Sequence, residues 1–227
     1  MQAQLYHGRP NLLMDHLQLG LRVPGEEQPR VYLSLYVIPW SRELGAGHVA
    51  LLRRSPAREA GATGGDGAAT GGRPIDATLS DNPALARALQ AQLRSVGYDR
   101  VDLTSDPRPA SFTRSPLREQ DHVRYLIASI GLEIDARWEE LGEPIFAAGP
   151  APQRPRDQEI WSMFFEAERA SLALNGAAVP GSTYRQEHWQ EWLGRSLCSA
   201  HVARGEILVD RPADGSGWTG GAAPANG

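Results

Sequence analysis

The chain has 227 residues, is 41% hydrophobic and carries a net charge of −4. That is enough apolar material for one sizeable core, and it leaves no basic field to draw the protein to nucleic acid. All 23 basic residues are arginine, which excludes an imine-forming lysine, a lysine general base and a phosphate-binding P-loop. Cys198 is the single cysteine, so intramolecular disulfides and paired-cysteine zinc sites are excluded as well.

The first fifteen residues show neither a basic region nor a sustained apolar run, so no signal peptide is expected. No stretch approaches eighteen consecutive apolar residues. A cytoplasmic protein without a membrane partner fits this pattern. The Arg/Ala/Gly/Pro-rich composition fits a high-GC bacterial source.

Leu17, Leu19, Leu21 and Val23 alternate with His16, Gln18, Gly20 and Arg22, the period of a half-buried strand. After "PGEEQP" a second strand places Val31, Leu33, Leu35 and Val37 on one face. Tyr32, Ser34, Tyr36 and Ile38 lie on the other. The two runs predict an antiparallel pair, and "HVALLRR" predicts a third strand. Residues 55–73, rich in Gly and Ala, hold almost nothing to bury and are expected to be a disordered insert. "PIDATLS" reads as a short strand. In "NPALARALQAQLRSVG", Asn82 caps a helix, Pro83 suits its first turn, and Leu85, Leu89, Leu93 and Val96 form its buried stripe. "DRVDLTS" and "ASFTRS" read as short strands.

"LIASIGLEIDARW", residues 126–138, fits both an alternating strand and a helical stripe. A helix would carry Gly131 in its interior, at a cost of roughly 1 kcal/mol, so a single long strand bent or bulged at Gly131 is expected. Trp138 ends the apolar face under either reading. "EPIFAAG" predicts a strand. "EIWSMFFEAERASLAL" leads to Asn175-Gly176, a hairpin signal, and is read as strand despite its helical propensity. "STYRQEHWQEWLGRS" predicts a helix with a Thr183/Gln186 capping box. "SAHVARGEILVD" returns to strand, and residues 211–227 read as a disordered tail.

The expected fold is therefore mainly β. It is an antiparallel β-barrel or strongly curled sheet with one or two peripheral helices, α+β being the alternative. A single domain is expected over residues 1–210. The architecture is similar to lipocalin-type barrels by analogy of fold alone, because the N-terminal GxW motif of that family is not in this chain.

No catalytic motif stands out. The six histidines show no HxH or HxxxH spacing, although cupin-like sites gather ligands from distant strands. Cys198 and His201 are an odd number of residues apart, which on a strand separates them. Glu133 with Asp135 and Glu166 with Glu168 are carboxylate pairs beside arginines, which suits a solvated face. A barrel of this size either fills with side chains or encloses one small ligand, and aromatic residues are available to line a cavity.

The leading expectation is binding of a small hydrophobic molecule in a barrel cavity, with isomerisation or cyclisation by substrate orientation and no covalent nucleophile. Tyr36 and His201 are the expected catalytic residues, and Tyr32, Trp138, Trp161 and Phe164 the substrate-binding ones. No metal ligand is assigned and no cofactor is implied. The expected partner is a small apolar organic ligand, and a homodimer is compatible. Two alternatives are a non-catalytic protein-interaction module, using a sheet edge or the Trp189/Trp192 face, and a metal-dependent β-barrel enzyme.

Overall fold

The structure, a computed structural model, describes residues 9–56, 74–115, 122–149 and 158–210. Beyond residues 55–56, the expected insert at 55–73 lies outside the described residues, as does the expected tail from 211. The strands in chain order are β1 (Arg9–Leu21), β2 (Val31–Ser41), β3 (Gly47–Arg54), β4 (Ile75–Ser80), β5 (Arg108–Arg114), β6 (Val123–Ser129) and β7 (Leu132–Leu141). They continue as β8 (Ile145–Gly149), β9 (Gln158–Leu174), β10 (Ala177–Ala178), β11 (Arg185–Gln186), β12 (Leu197–Cys198) and β13 (Ala200–Asp210). Two helices, α1 (Pro83–Ser95) and the single turn α2 (Gln190–Leu193), complete the regular structure of the described residues, with a 3-10 turn over Glu187–Trp189 ahead of α2.

Nine strands close into a ring, β9-β13-β1-β2-β3-β4-β5-β6-β7, which returns to β9. Every pairing is antiparallel except β4–β5, which is parallel and joins only Leu79 to Arg108 and Ser80 to Pro109. Both β7 and β8 pair with β9: Leu141 opposes Ala167, and Ile145 opposes Phe164. The ring is thus a mainly β, barrel-like fold, uneven in its pairing, and such a fold is compatible with small-molecule binding or catalysis.

Side-chain alternation fills the ring. Leu17, Leu19, Leu21, Val31, Leu33, Leu35, Ala50, Leu52 and Leu79 point inward and meet Ile127, Ile134, Trp138 and Leu172 from the opposite wall. Trp138 is wholly buried there, and its indole Nε1 donates to the Gln18 carbonyl across the interior at 2.7 Å. These side chains occupy the space that a central ligand would need, so the barrel interior is a packed core.

The other face of β1, β2 and β3 is covered by α1 and the segment after it. Asn82 caps α1, its side chain accepting from the Leu85 amide at 3.2 Å, as its position before Pro83 predicts. Leu85, Leu89 and Leu93 bury their stripe with Tyr98, Val101 and Leu103 against Tyr32, Tyr36, Val49 and Leu51.

Three expectations need correction. Residues 126–138 are not one bent strand. Ile130 and Gly131 form a tight turn between β6 and β7, with Gly131 at φ +73° and Ile130 96% exposed. The turn exchanges the faces: odd-numbered Val123, Tyr125 and Ile127 point inward before it, and even-numbered Leu132, Ile134, Ala136 and Trp138 after it. The expected helix over 182–196 is broken into β11, the 3-10 turn and α2, because the Gln186 side chain is drawn to Gln18 on β1 instead of capping. The "DRVDLTS" segment is a loop, not a strand. The Asn175-Gly176 hairpin is as expected, both residues having positive φ, +49° and +77°.

Candidate functional site on the outer barrel wall

Cross-strand register builds a polar layer on the outer face. Ser34, Gln18, His201 and Glu166 oppose one another across β2, β1, β13 and β9. Tyr36, His16, Ala203 and Phe164 form the adjacent row. The segment from Tyr184 to Leu197 lies over these rows: Gln186 Oε1 accepts from Gln18 Nε2 at 2.9 Å and from Trp189 Nε1 at 3.1 Å. Glu166 anchors the same segment from below, accepting from Arg185, Arg195 and the Cys198 amide.

His201 sits at the centre of this layer with no exposed surface. Its ring meets Phe164 and Trp189 edge-on, both with centroids 5.7 Å away, and His16 at 6.3 Å. Nδ1 lies 2.9 Å from the Cys198 carbonyl, which can only accept, so Nδ1 carries the proton and Nε2 keeps its lone pair. Burial lowers its pKa to about 4, outweighing the Cys198 carbonyl, so the ring is neutral at physiological pH. Nε2 has no hydrogen-bond partner among the described residues.

Beside this layer a cleft of about 460 Å³ opens between Tyr32, Arg53, Arg100, Tyr184, Gln186 and His188. Gly20 makes room for the Tyr184 ring: a Cβ there would lie 2.9 Å from the Tyr184 hydroxyl. The Tyr98 hydroxyl donates to that of Tyr32 at 2.9 Å, and burial raises the pKa of both. Arg100 holds its guanidinium 5.3 Å from the Tyr32 ring centroid, with Nη2 at 3.1 and 3.2 Å from the two nitrogens of His188. Burial, and then Arg100, lowers the His188 pKa to about 4. Arg100 has no carboxylate at ion-pairing distance among the described residues. Arg53 is only loosely paired, 3.9 Å from Asp76.

Ser34 Oγ lies 2.8 Å from His16 Nε2, and His16 Nδ1 lies 4.0 Å from Glu206 Oε2. The order is that of nucleophile, base and carboxylate. Ser34, however, is wholly buried in the wall, and the last contact is longer than a hydrogen bond.

The expected site residues divide into two groups. Tyr36, His201, Phe164 and Tyr32 all lie on the outer wall; Tyr36 stacks on His16 at 4.4 Å, and Tyr32 lines the cleft. Trp138 lies inside the barrel, and Trp161, 38% exposed and paired with Ala148 and Ile207, stands apart from the cleft. The expectation that Tyr32, Tyr36 and Trp138 wall one cavity is therefore not met. The aliphatic face of β2 supplies the interior, and the tyrosine hydroxyls find polar partners only outside it. Trp189 and Trp192 pack edge-on against Phe164 instead of forming a free face.

Sequence reading missed Arg100, Tyr184, Gln186 and His188. Tyr184, Gln186 and His188 fall in the segment read as a helix, and Arg100 in one read as a strand. No local pattern links them to β1 and β2. One carboxylate of each pair is engaged by arginines: Asp135 is held near a pKa of about 2 by hydrogen bonds from Arg124 and Arg137, and Glu166 accepts from Arg185 and Arg195. Among the described residues no three His, Cys, Asp or Glu side chains are placed to hold a metal ion, and no helix is long and apolar enough to cross a membrane.

No family model matches the chain, and no curated protein matches it. Among solved structures, it is similar to the crystal structure of acetoacetate decarboxylase from Legionella pneumophila. That likeness has 10% sequence identity and a TM-score of 0.42 and covers 93% of this chain and 90% of the other. It assigns neither a family nor a chemistry.

Proposed function

We propose that the protein binds a small organic anion with a flat body in the outer-wall cleft. The observation that carries this reading is Arg100. It is a guanidinium lining a cleft of about 460 Å³, without a carboxylate partner among the described residues and flanked by the rings of Tyr32 and His188. The volume falls within the range of small-molecule sites. An arginine that is not already paired favours a carboxylate by charge and by its fork of donors. Tyr184, half-buried at the cleft, offers flat apolar surface for the body of the ligand, while Tyr32 backs Arg100 from below. The ligand is still a small molecule, but it sits on the wall and not in the barrel, and it is anionic, not purely apolar.

Binding is favoured over turnover. General acid–base catalysis works best with a group whose pKa is near the working pH, whereas His188 and His201 both lie at about 4. Isomerisation or cyclisation in this cleft would draw on orientation alone.

The test uses phenylacetate and its uncharged amide as probes in titration calorimetry. Phenylacetate is expected to bind and phenylacetamide to bind at least roughly tenfold more weakly, the worth of one charge-assisted contact. Arg100→Ala is expected to remove that difference. Equal affinity for acid and amide, or an Arg100→Ala variant that keeps the preference, overturns the proposal.

A further inference from the structure

Two buried polar atoms on this wall make no hydrogen bond of normal geometry among the described residues, and they are complementary. His201 Nε2 is an acceptor and Gln186 Nε2 a donor, the Gln186 side chain also approaching the Tyr184 hydroxyl. His201 has no exposed surface and Gln186 is 4% exposed. Neither can be rearranged away. The His201 tautomer is fixed by the Cys198 carbonyl, which requires a proton on Nδ1. The Gln186 amide is fixed by two donors, Gln18 Nε2 and Trp189 Nε1, both directed at its oxygen; turning it over would set its N–H groups against theirs.

The two residues are also neighbours. Gln18, which binds Gln186, is the cross-strand partner of His201. Trp189, which also binds Gln186, packs its ring edge-on to His201 at 5.7 Å. Gln186 belongs in addition to the lining of the cleft. Gln186 therefore stands at the edge of the cleft, and His201, which does not itself line it, lies behind Gln186 in the wall. A buried polar group without a partner costs free energy, so a group that satisfies both atoms is bound with advantage.

Resting on the cleft reading above, we infer that His201 and Gln186 form a subsite for a neutral hydroxyl, so that the ligand class is a hydroxylated organic acid. A hydroxyl donates to His201 Nε2 and accepts from Gln186 Nε2 with the same oxygen. A carboxylate in this position accepts from Gln186 but presents lone pairs to the lone pair of His201, and a methyl group satisfies neither. The anionic end belongs at Arg100, and the hydroxyl belongs at His201. The hydroxyl is bound and oriented with no bond made or broken.

The experiment compares phenylacetate with meta- and para-hydroxyphenylacetate by calorimetry on the full chain. In the wild type the better of the two hydroxylated acids is expected to bind about tenfold tighter than phenylacetate, the worth of one well-placed hydrogen-bonding group. His201→Phe, which keeps a ring of similar breadth, is expected to bring that ratio close to one, and Gln186→Leu to do the same from the donor side. If His201→Phe fails to fold, the wild-type ratio and the Gln186→Leu ratio decide. Phenylacetate binding with a wild-type ratio near one overturns the subsite alone, leaving a site for ordered water only. No phenylacetate binding at all removes the cleft reading and the subsite with it. A ratio that persists in both variants places the hydroxyl elsewhere and also overturns the inference.

Discussion

Trp138→Ala tests the claim that the barrel is closed around a packed core. The indole is completely buried and lies among Leu17, Leu19, Leu33, Leu35 and Leu172, residues that come from both sides of the ring. Truncating a large aromatic in such a place costs about 3–5 kcal/mol, the higher end applying where neighbours cannot collapse into the gap. Strands tied to both neighbours by ladder bonds collapse poorly. The variant also loses the bond from Nε1 to the Gln18 carbonyl, a link between β7 and β1 across the core. Trp138→Phe separates the two contributions: it keeps much of the ring volume but no donor, and is expected to cost about 1–3 kcal/mol. In a chain of this size these values lower the melting temperature by about 2–4 °C per kcal/mol. Urea unfolding followed by far-ultraviolet circular dichroism measures both. A Trp138→Ala variant within about 1 kcal/mol of the wild type would mean that the interior is loosely filled and has room for a ligand, which would refute its placement on the outer wall.

Two further outcomes follow from the wall. The His201 pKa is lowered from 6.5 to about 4, so the unfolded chain takes up a proton there before the native chain does. Stability is therefore lost as pH falls through that window, by at most roughly 3 kcal/mol, and kept above it. His201→Phe should flatten this part of the urea-midpoint profile between pH 7 and pH 4.5, and profiles that stay parallel would show that His201 is protonated in the native state. Gly20→Ala places a Cβ 2.9 Å from the Tyr184 hydroxyl and 3.3 Å from the Ser199 Cβ, so Tyr184 must shift. The expected cost is about 1–3 kcal/mol, together with weaker phenylacetate binding, and unchanged affinity would show that Tyr184 does not shape the cleft.

The residues that were legible in the sequence are those whose role is local. Trp138 ends an apolar alternation, Asn82 precedes Pro83 and a leucine stripe, and Asn175-Gly176 demands positive φ at both positions. The turn at Ile130-Gly131 was hidden because a β-branched residue before glycine is no hairpin signature. By chance, the alternation also runs unbroken through the turn. The Thr183/Gln186 spacing imitates a capping box, yet Gln186 bonds to Gln18, 168 residues away. Alternation in β2 separates Tyr32 and Tyr36 from Val31, Leu33 and Leu35, but it does not say which face is inside. That is decided by the strands opposite, which bring Ile127, Ile134 and Trp138, and by α1, which covers the tyrosines. The cleft draws on residues from β2, the segment after α1 and the segment before α2, an assembly no local pattern encodes.

The layering also decides which side of the site is rigid. On the barrel side, Gln18 and His201 stand on β1 and β13, each paired on both sides, so their backbone positions are fixed by the ladder. On the covering side, Tyr184 to Leu197 holds only the two-residue strands β11 and β12, a 3-10 turn and one turn of helix. Its ties to the wall include polar contacts: Arg185 and Arg195 to Glu166, and Gln186 to Gln18. Its apolar contacts are gathered at Phe164, against Trp189 and Trp192. Partly exposed ion pairs contribute little to stability, so the aromatic cluster at Phe164 and the buried Gln186–Gln18 bond carry most of the hold on this segment. A ligand entering beside Arg100 meets the Gln186 end first, because Gln186 lines the cleft and Phe164 does not. The Gln186 amide is held by Gln18 and Trp189, and the His201 ring by the Cys198 carbonyl, so donor and lone pair are both set before a hydroxyl arrives and the choice of hydroxyl over methyl rests on the two together.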